Sequence, residues 1–277
     1  MTVRRRLDYD VLRVCSMVAV VYLHTAAGAL RTPQNAPVWH FSNALTALFT
    51  TAVPLFFMLS GALLLKDNKA ADLSTLFRRR LPKVLVPLLV WSAVVLILTG
   101  LRTGWGAAWD KAFVFLQSPV LVPYWFLYAL VPMYLVAPFL KKMADGLSPA
   151  HWRYLVGLWL VITLGVRTVR AFLPDSVEGA LQLHWTLNID FIGGYLGYFL
   201  LGAALERWRR PPSRRVLWAA AVVLYLIIAL GTAWDTARTG AYDERFKSYL
   251  NLFAALLAAV IFLLARSYLE GREIRRA

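Results

Sequence analysis

Eight apolar runs, separated by short polar segments, set the pattern of the chain: 12–30, 39–65, 84–101, 121–140, 153–171, 187–205, 216–234 and 248–266. A hydrocarbon layer about 30 Å thick is crossed by about 20 apolar residues in an α-helix, and each run is close to that length. The runs are too long for the strands of a membrane barrel. They predict an all-α, polytopic membrane bundle of about eight transmembrane helices. The fifth run is the weakest, with Arg167 and Arg170 near its end. No long linker, low-complexity tract, repeat or soluble domain interrupts the series, so the chain reads as a single membrane-embedded domain over 1–277.

The polar positions that break the pattern carry the chemistry. Arg13 and His24 lie eleven positions apart in the first run. Eleven steps of about 100° make roughly three turns plus 20°, so the two residues share a helix face about 16 Å apart along the axis. Ionisable groups are costly in hydrocarbon and usually face a protein interior or a wet cavity. Asp10, three positions before Arg13, can pair with it. An imidazole suits a general base acting on a hydroxyl, and a guanidinium offers a planar fork for phosphate or carboxylate. A hydrogen-bonded core histidine and a snorkelling interface arginine are the alternative readings of the same positions.

Composition agrees with a membrane protein: 60% of the 277 residues are hydrophobic. The net charge of +15 comes from 30 basic and 15 acidic residues spread over many loops, which is a poor pattern for nucleic acid. With the N-terminus in the cytoplasm, 21 Lys and Arg fall on the inner side and 8 on the outer, Arg13 aside. That imbalance predicts both termini inside, in agreement with an even number of spans. Trp39, Trp105, Trp109, Trp185 and Trp234 would then mark the outer interface, and Trp152, Trp208 and Trp218 the inner one. The lone Cys15 excludes an internal disulfide framework. A cleaved leader is a competing reading of the first run, with Arg4-Arg5-Arg6 as its basic start and Ala27-Gly28-Ala29 as its cleavage site. Asp8, Asp10 and Arg13 crowd the start of the apolar stretch and argue against it.

In the second run Pro54 can kink the helix, and Ser60-Gly61 permits close helix approach. The segment Phe77-Arg78-Arg79-Arg80-Leu81-Pro82-Lys83 is a basic cluster suited to polyphosphate or anionic lipid, and equally to cytoplasmic retention. Asp190 lies in the sixth run beside Asn188 and before Gly193 and Gly197; a carboxylate in a span is a candidate functional group, with a capping or interface role as the alternative, and the glycine spacing reads as helix packing. His184 and Trp185 precede that run and could contact an extracytoplasmic sugar, whereas His40 and His151 read as interface residues. No clustered metal-ligand motif, nucleophile elbow or Gly-rich phosphate loop is present.

Four motifs in order carry a resemblance. They are Asp10-Val11-Leu12-Arg13 followed by His24, Phe56-Phe57-Met58-Leu59-Ser60-Gly61, the basic cluster before Pro87, and Tyr124-Trp125-Phe126-Leu127-Tyr128 with Tyr134 and Pro138. Together they resemble the acyltransferase 3 family of integral membrane acyltransferases. The opening Leu7-Asp8-Tyr9-Asp10-Val11-Leu12-Arg13 looks most like the branch that O-acetylates surface polysaccharides. The resemblance implies transfer of an acyl group, acetyl in that branch, from cytosolic acyl-CoA to a hydroxyl of an envelope polysaccharide or lipid-linked glycan, in a bacterial inner membrane. By matching motif, His24 would be catalytic base or acyl relay, Arg13 would bind the donor with Asp10 as its orienting partner, and Arg79, Arg80 and Lys83 would line the donor entrance. No metal is implied.

Two departures stand out. Lys83 occupies a position where the family usually has arginine. The chain also has about eight spans where relatives have about ten, so two C-terminal helices would be lacking, and with them activity in an inactive remnant. A glycan or lipid transporter, with Arg13 and His24 as ligand or proton-relay groups, is the rival expectation. It differs in not consuming acyl-CoA.

Overall fold

The computed structural model describes residues 6–26, 28–174 and 193–271, and among them every regular element longer than one residue is helical. Helix α1 spans Leu7–Ala26, α2 Pro37–Phe49 and α3 Ala52–Leu64. Helix α4 spans Pro82–Thr103, α5 Trp105–Phe113 and α6 Trp125–Gly146. Helix α7 (Pro149–Leu158) continues through a wide π-helical turn, Trp159–Gly165, into α8 (Val166–Ala171). Helices α9 (Leu196–Arg207), α10 (Arg214–Thr239) and α11 (Leu252–Leu269) complete the chain.

Local sequence explains the boundaries. Ser148, Ser213 and Asn251 cap α7, α10 and α11 by accepting backbone N–H bonds, and Gly240, at φ 74°, ends α10. The second apolar run is not one straight helix. Pro54 lacks the N–H that would bond the Thr50 carbonyl, and the helix breaks at Thr50 and Thr51 between α2 and α3. Among the described residues, seven helical stretches are long and apolar enough to cross a membrane: Leu7–Arg31, Pro37–Leu64, Leu73–Thr103, Val122–Gly146, Pro149–Ala171, Arg214–Thr239 and Leu252–Leu269. The predicted sixth run begins outside the described residues and contributes the 12-residue α9. The chain is thus a multi-pass helical membrane protein.

It separates into two compact units, one of Met1–Leu63 with Ser148–Ala277 and the other of Leu64–Leu147. In the first, α1 packs on α2 and α11, α2 also packs on α10, and α10 runs along α11. Helices α3 and α9 cross at backbone contact. A Cβ on Gly61 would lie 1.7 Å from the Phe199 carbonyl oxygen, and one on Gly202 would lie 2.0 Å from that of Met58. Gly61 therefore does what its sequence context predicts, and its counterpart is Gly202.

The Gly193/Gly197 spacing does not form a helical packing pair. Gly193 precedes α9 at φ 130°, and Gly197 makes room for the Trp159 indole, whose Nε1 a Cβ would meet at 2.0 Å. In the second unit α4 packs on α5 and α6, and Gly100 of α4 lies against the ring of Trp105.

Candidate active site

Helix α1 is unbroken, so Arg13 and His24 do share one side of it. Tyr9, Leu12, Ser16, Ala19 and Ala26 form its buried face, while Arg13 and His24 are exposed together with Val14, Met17, Val18 and Val21. Arg13 and His24 thus lie on the face of α1 that the other described residues leave exposed, and not among its buried side chains. Arg13 donates from Nη1 to Asp10 Oδ1 at 3.1 Å, which is the pairing their spacing predicts. Arg13 is 45% exposed and Asp10 28%, so the pair orients the guanidinium and leaves much of its donor fork open. Among the described residues, none hydrogen-bonds the His24 ring, which leaves its nitrogens open to a ligand.

The second unit holds the basic cluster. Leu76–Arg80 forms a π-helical turn, closed by the Leu81 N–H to the Leu76 carbonyl at 2.9 Å, and Pro82 starts α4. This wide turn places Arg78 and Arg79 beside Lys83. The three basic residues, with Pro82, Val86 and Pro87, line an open groove of about 690 Å³. Arg80 turns away and ion-pairs with Asp67. Of the three residues expected at a donor entrance, the groove gathers Arg79 and Lys83, adds Arg78, and leaves Arg80 to bridge to the segment before it. A groove with basic and apolar walls suits a ligand joining phosphates to an apolar group.

Two polar clusters were not legible beforehand. At the start of α1, Arg6 pairs with Asp8 at 2.6 Å and with Glu206 of α9, and the Tyr9 hydroxyl donates to the second oxygen of Glu206. Beyond the far end of α10, the buried Lys247 donates to Asn43 Oδ1 at 2.6 Å and Thr46 Oγ1 at 2.8 Å, and Thr50 donates to its carbonyl. Burial, only partly offset by Glu244, pulls the Lys247 ammonium down to about 7, and burial above all pushes the Tyr249 phenol up to about 12. Lys247 sits in the loop between α10 and α11. Its neutral partners lie some two hundred positions away in sequence, beyond the reach of local pattern. Asp190, His184 and Trp185 lie outside the described residues. Among the described residues no three His, Cys, Asp or Glu side chains gather as a metal site.

The family model of the acyltransferase domain, acyltransferase 3, matches residues 6–276, nearly the whole chain, and the protein belongs to that family of acyltransferases. Searches of the curated proteins and of the solved structures found no match.

Proposed function

We propose that this protein is a membrane O-acyltransferase that moves an acetyl group from acyl-CoA to a hydroxyl of a cell-envelope polysaccharide or lipid-linked glycan. One observation carries the reading: an unbroken α1 presents the Asp10-held Arg13 and the His24 imidazole on a single face that, among the described residues, is exposed and leaves that ring without a hydrogen-bond partner. In the reaction, His24 takes the proton of the acceptor hydroxyl as its oxygen attacks the thioester carbonyl. The carbon–sulfur bond then breaks, and the CoA thiolate takes the proton back from the imidazolium. Arg13, oriented by Asp10, binds donor phosphate. Arg79 and Lys83 meet donor phosphates in the basic groove, where Lys83 supplies charge without the bidentate geometry of arginine. Asp190, His184 and Trp185 are assigned to the acceptor side. The positive-inside bias supports cytoplasmic termini, hence donor uptake from the cytosol, in the inner membrane of a bacterium with its lipids as surroundings.

The test is CoA release from acetyl-CoA by protein in nanodiscs, with and without envelope glycan. Glycan-dependent release by wild type, lost in His24→Ala at unchanged folding, is expected. No release by wild type, or release at the wild-type rate by His24→Ala, overturns the reading. Glycan movement across the bilayer without CoA release would establish a transporter instead.

A further inference from the structure

The fully buried face of α1 beyond Tyr9 carries Leu12, Ser16, Ala19 and Ala26, and beside it Tyr22 packs edge-on against Phe49 at 5.4 Å with its hydroxyl 3.4 Å from Ser42 Oγ; these contacts are neutral and weakly directional. A slip of one residue turns the helix by about 100° and shifts it by about 1.5 Å, which would carry Arg13 and His24 off their face.

Besides Tyr22, the charged contacts that resist the slip gather at the first turn. Glu206 uses both carboxylate oxygens there: one accepts from Arg6 Nη1, the other from the Tyr9 hydroxyl. Arg6 also bonds Asp8 at 2.6 Å, reaches Glu270 at 3.9 Å, and lies 4.1 Å above the Tyr9 ring. Arg266 of α11 bonds the other Glu270 oxygen at 2.9 Å and the Leu205 carbonyl of α9. Asp8, Tyr9 and Glu206 are 1%, 2% and 6% exposed, so these acceptors and the phenol are nearly dry, while Arg6 at 25% and Glu270 at 48% reach the edge of the cluster. Charge-assisted bonds in such surroundings are directional, and losing one partner leaves a buried charge unmatched.

We propose that Glu206 is a positioning residue for the reactive face of α1, setting the depth and rotation of Arg13 and His24 through Arg6 and Tyr9. The proposal rests on the reading of those two residues as the reactive groups, but its test separates the two. Ser16, 2% exposed on the buried face, serves as the reporter. In a Cys15→Ser, Ser16→Cys background, which keeps a single thiol, N-ethylmaleimide labelling measures whether that face stays covered.

With Glu206 intact the thiol is protected. Glu206→Ala is expected to raise its labelling rate about tenfold or more and to lower kcat per folded molecule by at least as much, since misplacement near 1 Å can cost about a hundredfold. Tyr9→Phe, which keeps the Arg6 pair, and Glu206→Gln, which keeps one acceptor, should fall between. A Glu206→Ala protein that folds, keeps the thiol protected and retains wild-type kcat and KM overturns the proposal. If Glu206→Ala does not fold, unchanged labelling and turnover in both Tyr9→Phe and Glu206→Gln overturn it. If the wild type shows no acyl transfer, the activity assignment fails while the labelling ratio still decides the role of Glu206.

Discussion

Alanine at Gly202 or Gly61 strikes backbone. Carbon and carbonyl oxygen in contact sit about 3.3 Å apart or more. The new Cβ would start 2.0 Å from the Met58 oxygen in the first case and 1.7 Å from the Phe199 oxygen in the second. Neither oxygen can rotate away, so α3 and α9 must separate by about 1.3 Å and about 1.6 Å along those directions. Overpacked cores typically lose about 1–3 kcal/mol when side chains can yield, and a backbone clash belongs at or above the top of that range. For a chain of this size about 3 kcal/mol corresponds to a Tm lowered by roughly 6–12 °C. The assay is thermal unfolding of purified protein in detergent. Gly157→Ala serves as the control, because its Cβ meets nothing within 4 Å inside α7. That substitution should raise stability by about 0.5–1 kcal/mol through helix propensity. The double variant Gly61→Ala/Gly202→Ala should lose less than the sum of the singles, since both act on one crossing. Single variants within about 0.5 kcal/mol of wild type would refute the backbone contact.

Lys247 gives the chain a pH signature. Its ammonium falls from the usual 10.5 to about 7 in the folded protein, so between those values the unfolded chain holds more protons and stability rises with pH. Unfolding measured from pH 7 to 9 should show this upward slope in wild type and a flatter one in Lys247→Met, and equal slopes would contradict the burial argument. At the basic groove, Arg79→Ala and Lys83→Ala should each raise the KM for acetyl-CoA by about fivefold, the worth of about 1 kcal/mol of phosphate contact, with Tm unchanged. Arg80→Ala should instead lower Tm, and Asp67→Ala should do the same. A KM effect for Arg80 equal to that of Arg79 would put Arg80 in the groove after all.

The spans were legible because hydropathy over some twenty residues is a local property. The Asp10–Arg13 pair, the shared face of Arg13 and His24, and the close approach at Gly61 were legible because helical periodicity fixes them once α1 and α3 exist. What the sequence concealed is long-range. Glu206 looks like an ordinary interfacial acid at the end of an apolar run until α9 is brought against Tyr9 and Arg6. Arg80 is indistinguishable from Arg79 in a basic triplet, and only the π-helical turn and Asp67 separate them. The expectation that Gly193 and Gly197 share a helix face failed because Gly193 adopts a left-handed backbone ahead of α9, which four-residue spacing does not reveal. Arg13 and His24 emerge on the open side of α1 for a related reason: periodicity says which residues share a face, and packing decides which face is covered.

The central claim is tested most directly by following radiolabelled acetyl from acetyl-CoA in nanodiscs containing wild type or His24→Ala, with envelope glycan supplied. The account predicts that wild type moves label from CoA to an alkali-labile ester on the glycan, and that correctly folded His24→Ala leaves it on CoA. Ester formation by His24→Ala at the wild-type rate, or no transfer of label by the wild type, would contradict it.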